Sequence, residues 1–105
     1  MKRAAYMWKL KPDKVGEYIE VHKRVWPSVI AAAKRAGISN YTIFIQGNIL
    51  FSYMEVEDYE AAMRYVGQDP ECQRWNAITS KMIEDFPDYK KGEATALMFE
   101  AFHLD

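Results

Sequence analysis

The feature that most constrains the fold of this chain is a glycine–asparagine pair between two segments that alternate like strands. Residues 40–46 read Asn-Tyr-Thr-Ile-Phe-Ile-Gln, and residues 49–56 read Ile-Leu-Phe-Ser-Tyr-Met-Glu-Val. Gly47-Asn48 between them is typical of a two-residue hairpin turn. The two segments are therefore predicted to be neighbouring antiparallel strands at the centre of the chain.

The segments before this hairpin predict a strand and then one long helix. Residues 3–10 alternate like a strand that is apolar on both faces. From Asp13, a suitable N-cap, to the approach of Gly37, apolar residues recur every three or four positions, as on one face of a helix. Pro27 falls inside this helix and predicts a kink near Trp26. Gly37 is expected to end the helix.

Two more helices and a last strand are predicted after the hairpin. Asp58 is expected to cap a helix that runs through about Val66. Asp69 and Pro70 begin the next helix, with Asp as the N-cap and Pro at the first helical position. Residues 94–103 alternate loosely and are predicted to be the final strand. This order of elements predicts an α+β, ferredoxin-like split βαβ fold, in which the helices cover one face of an antiparallel sheet.

Size and composition limit the class of protein. The chain of 105 residues is predicted to form one domain, residues 1–105. Its 14 basic and 15 acidic residues nearly balance, which argues against a nucleic-acid surface and against a disordered acidic tail. The single cysteine, Cys72, cannot form an intrachain disulfide, and no apolar run approaches the length of a membrane span. We therefore expect a cytoplasmic protein without a nucleic-acid or membrane partner.

The apolar side chains of the predicted strands suggest an oligomer. Helices on one side can cover only one face of the sheet, yet the strands carry large apolar residues on both faces. The uncovered face is expected to include some of Tyr6, Trp8, Ile43, Tyr53 and Phe99. A second copy of the chain would cover such a face, so the sequence predicts a homodimer packed sheet against sheet.

The first candidate for chemistry is a histidine on the buried side of the predicted long helix. Tyr18, His22 and Trp26 lie four residues apart, so a helix places them on one side. A neutral imidazole can accept or donate a proton near neutral pH, which suits acid–base catalysis. A core histidine bonded to the backbone is the commoner explanation of such a position. Likewise Trp26, Trp75 and Tyr41 can form sugar-binding platforms, but such rings are more often plain core.

Other chemistries find little support in the residues. The chain has two histidines and one cysteine, and no carboxylate lies three or four residues from His22. A metal site is therefore not expected. Cys72 lies within an apolar helical stripe, which favours a buried, inert thiol. The five glycines form no phosphate-binding loop, so a nucleotide cofactor has no predicted site.

Three motifs taken together resemble the L-rhamnose mutarotase family. They are Glu17-Tyr18-x-x-x-His22-x-x-x-Trp26-Pro27, Asn40-Tyr41-x-Ile43 and Cys72-Gln73-Arg74-Trp75. The likeness runs in register over nearly the whole chain, from the opening Arg-Ala strand to Phe102-x-Leu104 at the end. Three motifs in order at matching spacings are much more specific than any one of them.

The resemblance implies a dimeric α/β barrel that interconverts the α and β anomers of a 6-deoxy-sugar, with no cofactor and no metal. It implies that His22 transfers a proton, either donating to the ring oxygen or relaying for it. It also implies that Tyr18, Tyr41 and Trp75 contact the sugar. Trp26 is predicted to join Trp75 in presenting an apolar face to the sugar's methyl group and C–H surface.

One position departs from the family pattern. Some members have a second tryptophan after the one that matches Trp75, whereas this chain has Asn76. The amide of Asn76 could hydrogen-bond a sugar hydroxyl instead of packing against it. L-rhamnose is the predicted substrate and L-fucose is the alternative. A cofactor-independent monooxygenase and a non-catalytic dimer module on the same fold are the other hypotheses.

Overall fold

The computed structural model of the protein describes residues 2–85 and 97–105. The strands are β1 (Lys2–Leu10), β2 (Ser39–Gln46), β3 (Ile49–Val56) and β4 (Ile83–Asp85). The helices are α1 (Val15–His22), α2 (Pro27–Arg35), α3 (Tyr59–Gln68) and α4 (Pro70–Thr79). Short 3₁₀ turns at Pro12–Lys14 and Ser80–Met82 precede α1 and β4.

The four strands form one antiparallel sheet in the order β2-β3-β1-β4. The predicted hairpin is confirmed: β2 and β3 pair from Gln46 and Ile49 outward, and Gly47 has φ 60°. Placing β1 between β3 and β4 gives the split βαβ arrangement, so the predicted ferredoxin-like α+β fold is confirmed.

Within the described residues, the fourth strand lies before the segment in which the sequence predicted it. It is Ile83–Asp85, and Ile83 pairs with Leu10 of β1. The predicted strand at residues 94–103 lies partly outside the described residues. In its described part, an isolated bridge joins Leu97 to Tyr6. The sequence predicted that the helix beginning at Pro70 would continue until before Pro87, which is wrong because α4 ends at Thr79. A three-residue strand such as β4 is too short to give a periodic pattern.

The long helix predicted before the hairpin is two helices. Trp26 is extended, with φ −58° and ψ 134°, and Pro27 begins α2 at its first position. A proline ring disfavours the helical conformation in the residue before it, so the chain breaks here instead of kinking. The prediction that Asp13 caps the helix was wrong, because Asp13 lies within a 3₁₀ turn and Lys14 precedes α1.

The predicted caps at Gly37, Asp58 and Asp69 are confirmed. Gly37, with φ 86°, follows the end of α2, and its N–H donates to the Lys34 carbonyl at 3.0 Å. The next N–H, that of Ile38, donates to Ala33 at 3.0 Å, which completes a Schellman motif. Asp58 accepts from the N–H of Ala61 at 3.1 Å, and Asp69 accepts from the N–H of Cys72 at 3.0 Å, so both serve as N-caps.

The helices cover the sheet face that carries the even-numbered residues of β1 and β3. Two buried clusters lie there: one contains Ala4, Tyr6, Ile38, Met54, Val56 and Ala62, and the other contains Leu10, Tyr18, Leu50, Met82 and Ile83. Trp8 packs against both clusters and Ile43 against the second. Of the residues predicted on the uncovered face, Tyr6, Trp8 and Ile43 therefore face the helices instead. Tyr53 does lie on the other face, on the opposite side of β3 from buried Ser52 and Met54.

Large apolar side chains stand on the sheet face away from the helices. Met7 of β1 is 52% exposed and Phe44 of β2 is 61% exposed. Phe99, also predicted on this face, lies outside the four strands and is 92% exposed. In the part of the chain that the structure describes, no helix is long and apolar enough to cross a membrane.

Candidate active site

A cavity of about 770 Å³ lies between the helices and the inner face of the sheet. Its size falls within the usual range for small-molecule sites, about 300–1,000 Å³. Aromatic and polar side chains from both layers line it, among them Tyr6, Tyr18, His22, Tyr41, Trp75 and Asn76. A smaller hollow of about 170 Å³ borders Tyr18 and His22 from another side. The sequence is thus folded so that most of its candidate residues share one cavity.

The last turn of α1 fixes the tautomer of His22. Nδ1 of His22 lies 2.8 Å from the backbone carbonyl oxygen of Tyr18, one turn earlier. A carbonyl oxygen can only accept a hydrogen bond, so Nδ1 carries a hydrogen and donates it. In the neutral ring, Nε2 therefore keeps the lone pair that can accept a proton.

The surroundings of His22 favour its neutral form. Desolvation by burial lowers the pKa of His22 below its ordinary value of 6.5, while the hydrogen bond to the Tyr18 carbonyl opposes this shift. The desolvation effect is the larger one. At neutral pH the ring therefore has an available base at Nε2.

Two aromatic side chains hold the imidazole from two sides. The ring of Tyr18 stacks on His22 with centroids 4.2 Å apart and planes 30° apart. Trp75 of α4 meets His22 edge-on, at 5.4 Å and 78°. Because Tyr18 and Trp75 are both buried, the position of the imidazole is set by packing as well as by its backbone hydrogen bond.

Trp26 reaches this group through Trp75. The two indole rings meet edge-on with centroids 5.3 Å apart. Trp26 occupies the extended break between α1 and α2, which brings the end of α1 against α4. Its predicted role as a sugar platform stays a prediction.

Two tyrosine hydroxyls meet within the cavity. Oη of Tyr6, on β1, lies 3.0 Å from Oη of Tyr41, on β2. Burial, followed by the nearby Tyr41 phenol, raises the pKa of both Tyr6 and Tyr18 above the ordinary value of 10.0. Both side chains therefore stay protonated as hydrogen-bonding phenols. Sequence reasoning missed Tyr6 as a site residue; its place on the same strand face as Trp8 was the available signal.

The other reactive residues of the sequence take minor positions. Cys72 borders the cavity as a buried free thiol, and burial raises its pKa to about 11, which fits the prediction of an inert cysteine. His103 lies far along the chain, with Nε2 2.8 Å from Oδ1 of Asp105. Within residues 2–85 and 97–105, no three His, Cys, Asp or Glu residues come together as metal ligands.

Fold and site together define a small ferredoxin-like α+β protein whose aromatic cavity presents a neutral histidine. A family model described as L-rhamnose mutarotase matches residues 3–104. The L-rhamnose mutarotase of Opitutus terrae is 34% identical over 107 residues, with all of both chains covered. That of Mesorhizobium japonicum is 35% identical over 103 residues, covering 95% of this chain and 94% of the relative. The chain belongs to the L-rhamnose mutarotase family.

Solved structures extend the comparison to the fold. The crystal structure of an L-rhamnose mutarotase from Formosa agariphila superposes with a TM-score of 0.78 at 21% identity, covering all of both chains. Tetracenomycin F2 cyclase from Streptomyces glaucescens, a polyketide cyclase, superposes with a TM-score of 0.61 at 14% identity, again over both whole chains. The fold thus serves more than one chemistry, and the function has to be argued from the site.

Proposed function

We propose that this protein is an L-rhamnose mutarotase, which interconverts the α and β anomers of the sugar by opening and closing its ring. The observation that carries the proposal is the state of His22: a neutral imidazole with Nδ1 bound to the Tyr18 carbonyl. His22 borders a cavity of suitable size, in a chain that the family model matches over residues 3–104. Anomer exchange requires a neutral base beside the sugar, because the anomeric hydroxyl has to give up its proton.

The proposed reaction begins with His22 as a base. Nε2 accepts the proton of the anomeric hydroxyl, the anomeric oxygen forms a carbonyl with C1, and the bond from C1 to the ring oxygen breaks. The imidazolium then gives its proton to the ring oxygen, so His22 relays the proton between the two oxygens. The hydrogen bond from Nδ1 to Tyr18 stabilises the imidazolium while it exists.

Rotation about the C1–C2 bond presents the other face of the carbonyl. The hydroxyl formed from the ring oxygen then attacks C1 and returns its proton to His22, which passes a proton to the new anomeric oxygen. No atoms or electrons are gained or lost. Because the uncatalysed reaction is already feasible, a positioned acid–base group contributes an acceleration of about 10²–10⁴-fold.

The remaining predicted site residues would hold the sugar. Tyr18 and Tyr41 carry phenol hydroxyls at the cavity and can bond sugar hydroxyls. Trp75, with Trp26 behind it, offers an apolar ring for the methyl group and C–H surface. Asn76 borders the same cavity and can donate or accept through its amide.

A homodimer packed sheet against sheet belongs to the same proposal. The support is the sheet face opposite the helices, where Met7 and Phe44 are more than half exposed. A second copy would bury this apolar face. A cytoplasmic location is proposed as well, supported by the single cysteine Cys72, which can form no disulfide within the chain.

Exchange NMR of the anomeric protons tests the proposed function directly. The α–β exchange rate is measured for L-rhamnose and, in parallel, L-fucose, with and without the protein. The proposal predicts faster exchange for L-rhamnose in the presence of protein, with a smaller effect on L-fucose. A larger effect on L-fucose would reassign the substrate, and no acceleration of either sugar would refute mutarotation of both.

A further inference from the structure

We infer that Tyr6 is a positioning residue for sugar binding, because its buried hydroxyl holds the Tyr41 hydroxyl in place across the sheet. The inference rests on the proposed function for its ligand, a sugar that Tyr41 would bind. It adds a residue that the sequence motifs did not include.

The sheet order explains how the two phenols meet. β3 lies between β1, which carries Tyr6, and β2, which carries Tyr41, so the pair spans one strand. The residue of β3 directly opposite Tyr6 is Ser52. Ser52 is buried and small, so both phenols can meet above it, where their oxygens lie 3.0 Å apart.

Ser52 supplies a third hydroxyl beside the two phenols. Burial raises the pKa of Tyr6, and the nearby Ser52 hydroxyl opposes this rise to a smaller degree. If Ser52 donates to Tyr6 and Tyr6 donates to Tyr41, the proton of Tyr41 stays available for a ligand.

Tyr41 needs such support because it is poorly held by packing. It stands on the edge strand β2 and is 46% exposed, whereas Tyr6 on the interior strand β1 is only 5% exposed. A hydroxyl that is oriented before the ligand arrives costs less entropy on binding. Tyr6 therefore acts on sugar affinity through Tyr41, and it has no part in moving the proton.

The test is a double-mutant cycle with Tyr6→Phe, Tyr41→Phe and the double variant. The KM and kcat for L-rhamnose come from exchange NMR, and the Kd comes from the change in intrinsic tryptophan fluorescence, to which the cavity residues Trp8 and Trp75 contribute. Each single change is expected to raise KM and Kd by about five- to tenfold with kcat changed less than about twofold. The double variant is expected to bind no more weakly than Tyr41→Phe, because Tyr6 acts only through Tyr41.

Tyr65→Phe is the matched control. It removes a phenol hydroxyl that accepts from Nε of Arg35 at 2.7 Å, outside the cavity, so KM and Kd should not change. Losses that multiply in the double variant would overturn the inference, as would an unchanged Kd in Tyr6→Phe or a fall in kcat alone.

The proposed function and this inference can fail separately. If the unaltered protein binds L-rhamnose but does not accelerate exchange, mutarotation is refuted while the Kd values still decide the role of Tyr6. If it accelerates exchange and Tyr6→Phe behaves like the unaltered protein, only the role of Tyr6 is refuted. Absence of both binding and exchange overturns both.

Discussion

At the scale of single residues, His22 illustrates how a helix position becomes a reactive group. Its place on the buried side of α1 follows from its spacing relative to Tyr18, which sequence periodicity could predict. Its tautomer follows from the 2.8 Å contact between Nδ1 and the Tyr18 carbonyl, which only the structure provides. Its lowered pKa follows from burial, and one of the rings packed against it, Trp75 of α4, is distant in sequence.

The role of His22 as a base predicts the pH dependence of exchange. The neutral form is the active one, so kcat/KM should be constant at neutral pH and fall as pH decreases through the folded-state pKa. Because desolvation places that pKa below 6.5, the pH at which half of the activity is lost should also lie below 6.5. Exchange NMR across pH measures the loss of activity. The chemical shifts of the His22 ring protons in the same samples measure the pKa of His22. A loss of activity centred above 6.5 would contradict this account.

Tyr6 marks the limit of residue-level prediction. Alternation placed it correctly on the same strand face as Trp8. The meeting of its hydroxyl with that of Tyr41 depends on strand order, on register and on the small residue Ser52 between them. None of these is encoded within a single strand, so no local pattern could predict the contact.

At the scale of elements, the sequence predicted best where one local rule decides the outcome. Gly47-Asn48 forms the hairpin, and Asp58 and Asp69 cap their helices, because turn and cap geometry depend on a few neighbouring residues. The short strand Ile83–Asp85 could not be predicted, because pairing with β1 defines it. The sequence predicted a kink at Trp26 where the structure has a complete break. Pro27 restricts the backbone conformation of the preceding residue but does not determine how far the two helices separate.

The end of α2 supports a prediction about stability. Gly37 adopts φ 86°, a conformation that strains residues with a Cβ atom, although open space surrounds the position. Gly37→Ala should therefore lower the free energy of unfolding by about 1 kcal/mol. Urea denaturation followed by circular dichroism measures the change.

Gly16→Ala is the matched control, because Gly16 lies within α1, in open space and without a positive φ. Alanine is the better helix former, so this variant should be as stable as the unaltered protein or more stable by up to about 1 kcal/mol. Equal effects of the two substitutions would mean that backbone strain at Gly37 is not the cause.

At the scale of the whole molecule, the two faces of the sheet differ in what covers them. The inner face carries the buried clusters and the cavity, and the outer face carries exposed apolar residues such as Phe44. The sequence predicted that one face would lack a cover, because helices in this fold lie on one side. It could not assign each residue to a face before the register was known, which is why Tyr6 and Ile43 were considered for the uncovered one.

The proposed dimer predicts the effect of a charge on the outer face. Phe44→Glu places a carboxylate on this apolar surface, and burying it in a dimer interface would be costly. Sedimentation velocity should therefore find a dimer for the unaltered protein and a shift to monomer for Phe44→Glu. Ile78→Glu is the control, since Ile78 is 39% exposed on α4, on the helix side, and should leave the dimer intact. An unaltered protein that is monomeric would contradict the proposal.

The central claim is that His22 moves the proton, and its removal tests this most directly. His22→Asn keeps an amide that can donate to the Tyr18 carbonyl but cannot act as a base near neutral pH. Exchange NMR on L-rhamnose should find a rate reduced by about 10²–10⁴-fold toward the uncatalysed value. His103→Asn, the same change at the exposed histidine, should keep full activity. A folded His22→Asn protein that exchanges the anomers at the unaltered rate would contradict the account.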